Sequence, residues 1–198
     1  TTDITDPTQT TGNGTVSWDT TEVDSPLTTW AFTFTVSVSS SASSATGTTT
    51  ILSMASASTG ASGLGVRYGY DNTKLVIGDG NSTLSSSSID VTEGATYTLA
   101  YDASTYTVYL GSSDGNYITY TFDSSSTVTT TLTSTVLRQW TNGGNVSTTI
   151  TSVADLSSVS GDSAAFASYV TTGSVPEPAT ATLGLLALGA LALRRRRA

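Results

Sequence analysis

Few side chains in this 198-residue chain could do covalent chemistry. It contains no histidine and no cysteine, which excludes a Ser-His-Asp triad, a thiol nucleophile and a zinc site built on imidazole or thiolate. The common hydrolytic mechanism left is a pair of carboxylates about 5 to 10 Å apart, able to cut a glycosidic bond. The glutamates Glu22, Glu93 and Glu177 support such a pair poorly. Only Glu22 has a second acid two residues on, Asp24, and Pro26 stands two residues beyond that. Proline withholds a ladder donor, so no strand is expected there to set both acids on one face. The chain therefore reads as non-catalytic.

Binding chemistry has more candidates. Asp71, Asn72, Asp79, Asn81, Asp102 and Asp114 fall at turn signals and offer the hard oxygens that calcium takes. Asp and Asn are also the ordinary residues of turns, because their side chains bond their own backbone, and no Asp-x-Asn-x-Asp loop occurs. No cofactor is expected, with a structural calcium as the alternative. A sugar needs apolar, often aromatic, surface beside a few placed polar groups. Trp140-Thr141-Asn142-Gly143-Gly144-Asn145 has that mixture, and Tyr68 and Tyr70 add two rings, so Tyr68, Tyr70, Trp140 and Asn142 are the candidate ligand-binding residues. The competing reading ends a core strand at Trp140 and makes Asn142-Gly143 a plain hairpin turn.

The end of the chain carries a different message. Val175-Pro176-Glu177-Pro178 is followed by the apolar run 179–193 and then by Arg194, Arg195, Arg196 and Arg197. As a helix, that run of about 15 residues spans roughly 22 Å, short against a bilayer core of about 30 Å. The arginines favour the cytoplasmic side, which puts everything before Val175 across the membrane. Pro-Glu-Pro, a Leu/Ala/Gly helix and a terminal Arg cluster, in that order, resemble the PEP-CTERM sorting signal of Gram-negative bacteria. The resemblance implies that an exosortase-type membrane protease cuts at or near the motif and passes the protein to the cell surface or extracellular matrix. An ordinary tail anchor is the alternative, with Pro176 and Pro178 merely preceding the helix.

Charge and composition narrow the partners. The formal charge is −8, but four of the seven cations are the terminal arginines. Residues 1–175 keep Arg67, Lys74 and Arg138 against fourteen acids, a formal charge of −11. Such a surface repels phosphate backbones, so nucleic acid is excluded as a partner. Without cysteine the exported domain holds together by packing alone. Thr1 lacks an initiating Met and any basic or apolar leader, so a secretory signal peptide is expected to have been removed.

The elements that must position these residues are strands. Ser and Thr exceed a third of the chain, yet Thr alternates with large apolar residues at period two, which reads as the outer face of β-strands. The clearest strand is 30–38, with Trp30, Phe32, Phe34, Val36 and Val38 on one face. Others are expected at 16–18, 48–54, 64–70, 74–77, 89–91, 97–101, 106–110, 117–122, 127–137 and 146–153. The tracts 39–44, 85–88 and 124–126 are loops, and 161–170 is a short helix or irregular. Strands 8 to 12 residues apart with turns between them predict an all-β antiparallel sandwich, with a barrel as alternative.

Over about 16–156 the order of hydrophobic strands (30–36, then Ile51-Leu52-Ser53, Gly65-Val66-Arg67-Tyr68, Lys74-Leu75-Val76-Ile77, 97–102 and 107–111) resembles the laminin-G-like, concanavalin A-like jelly roll. That family implies two facing sheets and glycan or protein binding through edge loops. Its glucanases carry Glu-x-Asp-x-x-Glu on a strand, a pattern missing here. The expected organisation is a lead-in at 1–15, a sandwich at 16–160, a linker or short helix at 161–174 and the sorting signal at 175–198. The expected function is that of an exported surface or matrix protein that binds polysaccharide or another surface protein. An exported glycoside-active enzyme on the same fold, or a ligand-free structural matrix protein, is the alternative.

Overall fold

The computed structural model of the chain describes residues 4–5, 8–12, 15–19, 26–39, 47–54, 63–70, 72–79, 82–132, 135–140 and 146–176. Numbered along the chain, strands β1 (Ile4–Thr5), β4 (Trp30–Val38), β9 (Thr96–Asp102), β10 (Thr107–Ser112), β11 (Tyr117–Thr121) and β13 (Val146–Asp155) form one sheet in the order β1-β13-β4-β9-β10-β11. Strands β2 (Thr8–Gly12), β3 (Thr15–Asp19), β5 (Thr48–Ser53), β6 (Gly65–Gly69), β7 (Lys74–Gly78), β8 (Ile89–Asp90) and β12 (Thr135–Trp140) form a seven-stranded sheet in the order β2-β3-β12-β5-β6-β7-β8. Among the described residues every strand pair is antiparallel.

The sheets face each other because each has one apolar face to hide. On β4, Trp30, Phe32 and Phe34 are at most 1 % exposed, while the alternate residues Thr33 and Thr35 look outward and are half-buried. Across the register, Phe32 meets Leu99 and Phe34 meets Tyr97. These pack with Ile51, Leu52, Val66, Leu75 and Ile77 of the opposite sheet in one cluster. Trp30 stacks on Phe32 at 5.3 Å and donates its indole N–H to the Thr130 carbonyl at 2.7 Å, so its polar atom is satisfied inside the core. The architecture is an antiparallel β-sandwich.

Two expectations shift. The lead-in over 1–15 holds β1 and β2, which pair with β13 and β3; with little apolar alternation there, the backbone partners make the strands. Residues 127–132 are not strand but make isolated bridges, Thr129 to Gly63 and Leu132 to Leu27. The strand expected over 127–137 starts at Thr135 instead.

A helix covers part of the six-stranded sheet's outer face. Helix α1 (Ser163–Thr172) is capped by Asp162, whose carboxylate accepts from the Ala164 and Ala165 N–H groups at 3.0 Å each, and it ends at Gly173 with φ of 74°, a left-handed cap that glycine adopts without strain. Ala31, Ala100 and Ala154 form a flat platform beneath Phe166 and Val170, and the Phe166 ring stacks on Tyr109 at 5.1 Å. At Gly111 the approach is so close that a β-carbon would stand 2.4 Å from the Val170 carbonyl oxygen. The fully buried Asp102 carboxylate fastens the segment before the helix: it accepts from the Ser104 N–H and hydroxyl (3.0 and 2.8 Å), the Thr105 hydroxyl (3.0 Å), the Ser160 hydroxyl (2.9 Å) and the Gly161 N–H (2.9 Å). Burial alone would push this acid up; the donors outweigh it, the Ser104 hydroxyl first, and hold the carboxyl below its ordinary value.

Candidate functional site

At one end of the sandwich, the last three residues of β4, the β6–β7 turn and the loop from β8 to β9 enclose a groove of about 530 Å³ lined by Val36, Ser37, Val38, Thr73, Val91, Glu93 and Gly94. Each wall has a cause in the sequence. The apolar alternation of β4 runs two residues past the covered core, leaving Val38 38 % exposed. The loop is pinned by Tyr97: its hydroxyl accepts from the Thr92 N–H at 2.7 Å and lies within reach of the Asp90 and Thr92 carbonyls at 3.3 and 3.4 Å. Burial pushes the Tyr97 phenol up, so it stays a neutral donor and acceptor. The Val91 N–H bonds the Thr73 carbonyl at 2.9 Å and ties the loop to the hairpin turn. Thr73 takes φ of 54°, a left-handed conformation costly for a β-branched residue. Such strain persists where its surroundings impose it, and it gathers at ligand sites.

The chemistry on offer is that of a binding groove. The valines give an apolar floor, Ser37 and Thr73 line it beside them, and Glu93 supplies one exposed carboxylate. A carboxylate accepts hydrogen bonds from sugar hydroxyls, and a volume within about 300 to 1,000 Å³ suits a small ligand. Among the described residues lining the groove, Glu93 is the single acid, so the two-carboxylate arrangement is not assembled there.

A second groove, of about 510 Å³, lies between the C-terminal end of α1 and the uncovered part of the outer sheet face, lined by Thr33, Thr96, Thr98, Ser113, Thr171 and Thr172 among others. It is a hydroxyl surface without charge. Several of its hydroxyls are already engaged: Thr33 and Thr98 bond each other at 3.1 Å, and Thr171 and Thr172 back-bond to the helix carbonyls of Ala167 and Ser168 at 2.8 Å each.

Tyr68 is 2 % exposed and belongs to the core, and Tyr70 meets it edge-on at 5.2 Å; the alternation of β6 turns the Tyr68 ring inward, which removes it as a surface platform for sugar. Trp140 closes β12 opposite Thr15, and Asn142 lies outside the described residues. Two of the turn acids are engaged within their own turns: Asp79 accepts from the Ser82 N–H and Asp114 accepts from the Ser112 hydroxyl at 3.3 Å, while Asp71 and Asn81 lie outside the described residues. Among the described residues no three acidic side chains gather as a metal cage would require. Register puts Arg67 and Lys74 at positions on the outer face of the seven-stranded sheet, and the Arg138 backbone pairs opposite Ser53. Lys74 pairs with Asp90 at 3.3 Å. The groove's own residues were hidden from sequence reading because Glu93-Gly94 reads as a turn and Val38 as a strand end.

Of the tail, Val175 and Pro176 are described; Glu177, Pro178, the apolar run and Arg194, Arg195, Arg196 and Arg197 lie outside the described residues. Val175 is half-buried against the cluster of Ala31, Ala100, Tyr109 and Phe166.

Comparison with known proteins gives one sequence match and several distant structural ones. No curated protein matches the chain. Lectin II from Ulex europaeus superposes with a TM-score of 0.41 at 15 % identity, covering 77 % of this chain and 91 % of that one. The Trypanosoma rangeli sialidase gives 0.43 at 14 % identity, covering 75 % of this chain and 24 % of that one. The SPRY domain of human HERC1 gives 0.41 at 14 % identity, covering 75 % and 87 %. The sandwich stands on the chain's own two sheets. Residues 174–197 match the PEP-CTERM protein-sorting motif, and the chain is thus an antiparallel β-sandwich followed by that sorting signal.

Proposed function

We propose that this is an exported surface or matrix protein of a Gram-negative bacterium, processed at its tail by an exosortase-type membrane protease, whose sandwich binds polysaccharide through the groove of Val36, Val38, Thr73, Val91 and Glu93. The observation that carries the reading is the sorting motif at residues 174–197. Before processing, the apolar run holds the precursor in the inner membrane and the arginines keep its end in the cytoplasm. The groove supports the sugar-binding half: apolar surface and one carboxylate line a space of ligand size.

Replacing Pro176-Glu177-Pro178 by three alanines tests the address. Insertion draws its free energy from the leucines and alanines, so the variant should still insert but accumulate at full length in the inner membrane, while the natural chain reaches the surface shortened. Identical full-length protein in the inner membrane for both would make the tail an ordinary anchor. A glycan array with residues 1–175 tests the groove. Binding should fall at least tenfold in Glu93→Ala with folding unchanged, and an equal signal from both would remove the groove from the reading.

A further inference from the structure

The groove that carries the sugar-binding reading has one sign of charge. Among the described residues that line it, Glu93 is the single ionisable group, and no lysine or arginine joins it. Lys74 follows Thr73 in the chain but is already engaged: it stands opposite Asp90 in the β7–β8 register and pairs with it at 3.3 Å. The tyrosine that pins the loop feels the same field. Burial first, opposed by Thr92 and reinforced by the charges of Asp114 and Asp90, pushes the Tyr97 phenol up. Around the pinned loop, then, the carboxylates of Asp90, Glu93 and Asp114 face the ammonium of Lys74 alone among the described residues. Residues 1–175 as a whole are formally −11, and a field of that sign draws cationic ligands and repels anionic ones.

Two classes of ligand are thereby set aside. A polymer of uronic acids would bring its carboxylates against Glu93, with no cation lining the groove to receive them. A bare calcium ion takes about six to eight oxygens, whereas among the described residues no three acidic side chains gather. One carboxylate beside apolar surface suits an ammonium carried on a carbon ring. The charged group makes a charge-assisted hydrogen bond, roughly twice as strong as a neutral one, while the C–H face of the ring covers valines such as Val38, which is 38 % exposed. We infer that the polysaccharide held in this groove is a hexosamine polymer whose amines are free, with an ammonium on Glu93 and ring C–H groups on Val36, Val38 and Val91. The inference rests on the sugar-binding reading and adds the class of sugar. An N-acetylated polymer presents a neutral amide in place of the ammonium, so the ligand is one from which a deacetylation has removed acetyl groups.

The test is calorimetric titration of the full-length protein in non-ionic detergent, at slightly acidic pH where the sugar amines carry their protons. The probes are the tetramer of glucosamine and its fully N-acetylated counterpart. The glucosamine tetramer should bind at least about tenfold more tightly. Glu93→Gln keeps the shape, removes the charge and should abolish that preference. Asp155→Asn removes one charge at the other end of the sheet, opposite Trp30, and should keep it. Equal loss in the two variants would assign the binding to overall charge and overturn the inference. Glu93-dependent binding of the acetylated tetramer, as tight or tighter, would overturn it as well while leaving the groove reading in place. Binding of neither tetramer also overturns it, and the sugar-binding reading falls with it only if the glycan array is blank too.

Discussion

Phe34 and Thr35 are neighbours in sequence and opposites in consequence. Phe34 is fully buried between Phe32, at 6.0 Å, and Tyr97, at 5.8 Å, whereas Thr35 sits on the outer face. Phe34→Ala should cost about 3–5 kcal/mol and Thr35→Ala about 0.5 kcal/mol or less, read as the difference in thermal unfolding midpoints; equal effects would reverse the face assignment. Asp102 tests charge rather than volume. Its folded-state carboxyl lies below the ordinary 3.8, so the stability it lends is whole above about pH 4 and drains away as pH falls through the folded-state value. Asp102→Asn keeps the size but loses acceptor capacity for five donors, and should lower stability by about 1–3 kcal/mol near neutrality. Unfolding from pH 7 to pH 2 should show the gap between natural and variant chains shrinking toward the acid end; a constant gap would assign Asp102 a role independent of its charge.

At the scale of elements, α1 depends on a missing side chain. Gly111 lets the helix backbone come within contact distance of β10, where a β-carbon would collide with the Val170 carbonyl. Gly111→Val should lift the C-terminal end of the helix and cost about 1–3 kcal/mol through overpacking. Hydrogen exchange is the discriminating measurement: faster exchange across 163–172, with the β4 and β9 amides still protected, is expected. Uniform loss of protection would mean that the helix and the sandwich unfold as one unit. The same helix was only half legible from sequence, since its small residues Ala164, Ala165, Ala167 and Ser168 carry little periodic signal, and the platform of Ala31, Ala100 and Ala154 that fits them comes from three separate strands.

For the whole molecule, the helix settles where the domain ends. A chain ending at Val175 keeps α1 and should be soluble, monomeric and β-rich by circular dichroism. One ending at Ser160 uncovers Ala31, Ala100, Tyr109 and Leu156 and removes the Gly161 N–H donor from Asp102; it should bind a hydrophobic dye and self-associate, as exposed apolar patches do. Monomeric behaviour of the shorter chain would show that the helix is dispensable cover. The sequence alone was enough for the sandwich class, because period-two alternation and turn chemistry are local, and for the sorting tail, because Pro-Glu-Pro, apolar run and arginines are contiguous in the chain. It also ruled out histidine and cysteine chemistry, which depends only on residue types. Tertiary structure decided that Tyr68 faces the core, that Val38, Thr73 and Glu93 share one groove, and that residues 161–175 are clasped to the sheet. Each of those facts depends on register between strands far apart in sequence, and a one-residue slip in register would turn every side chain to the other face.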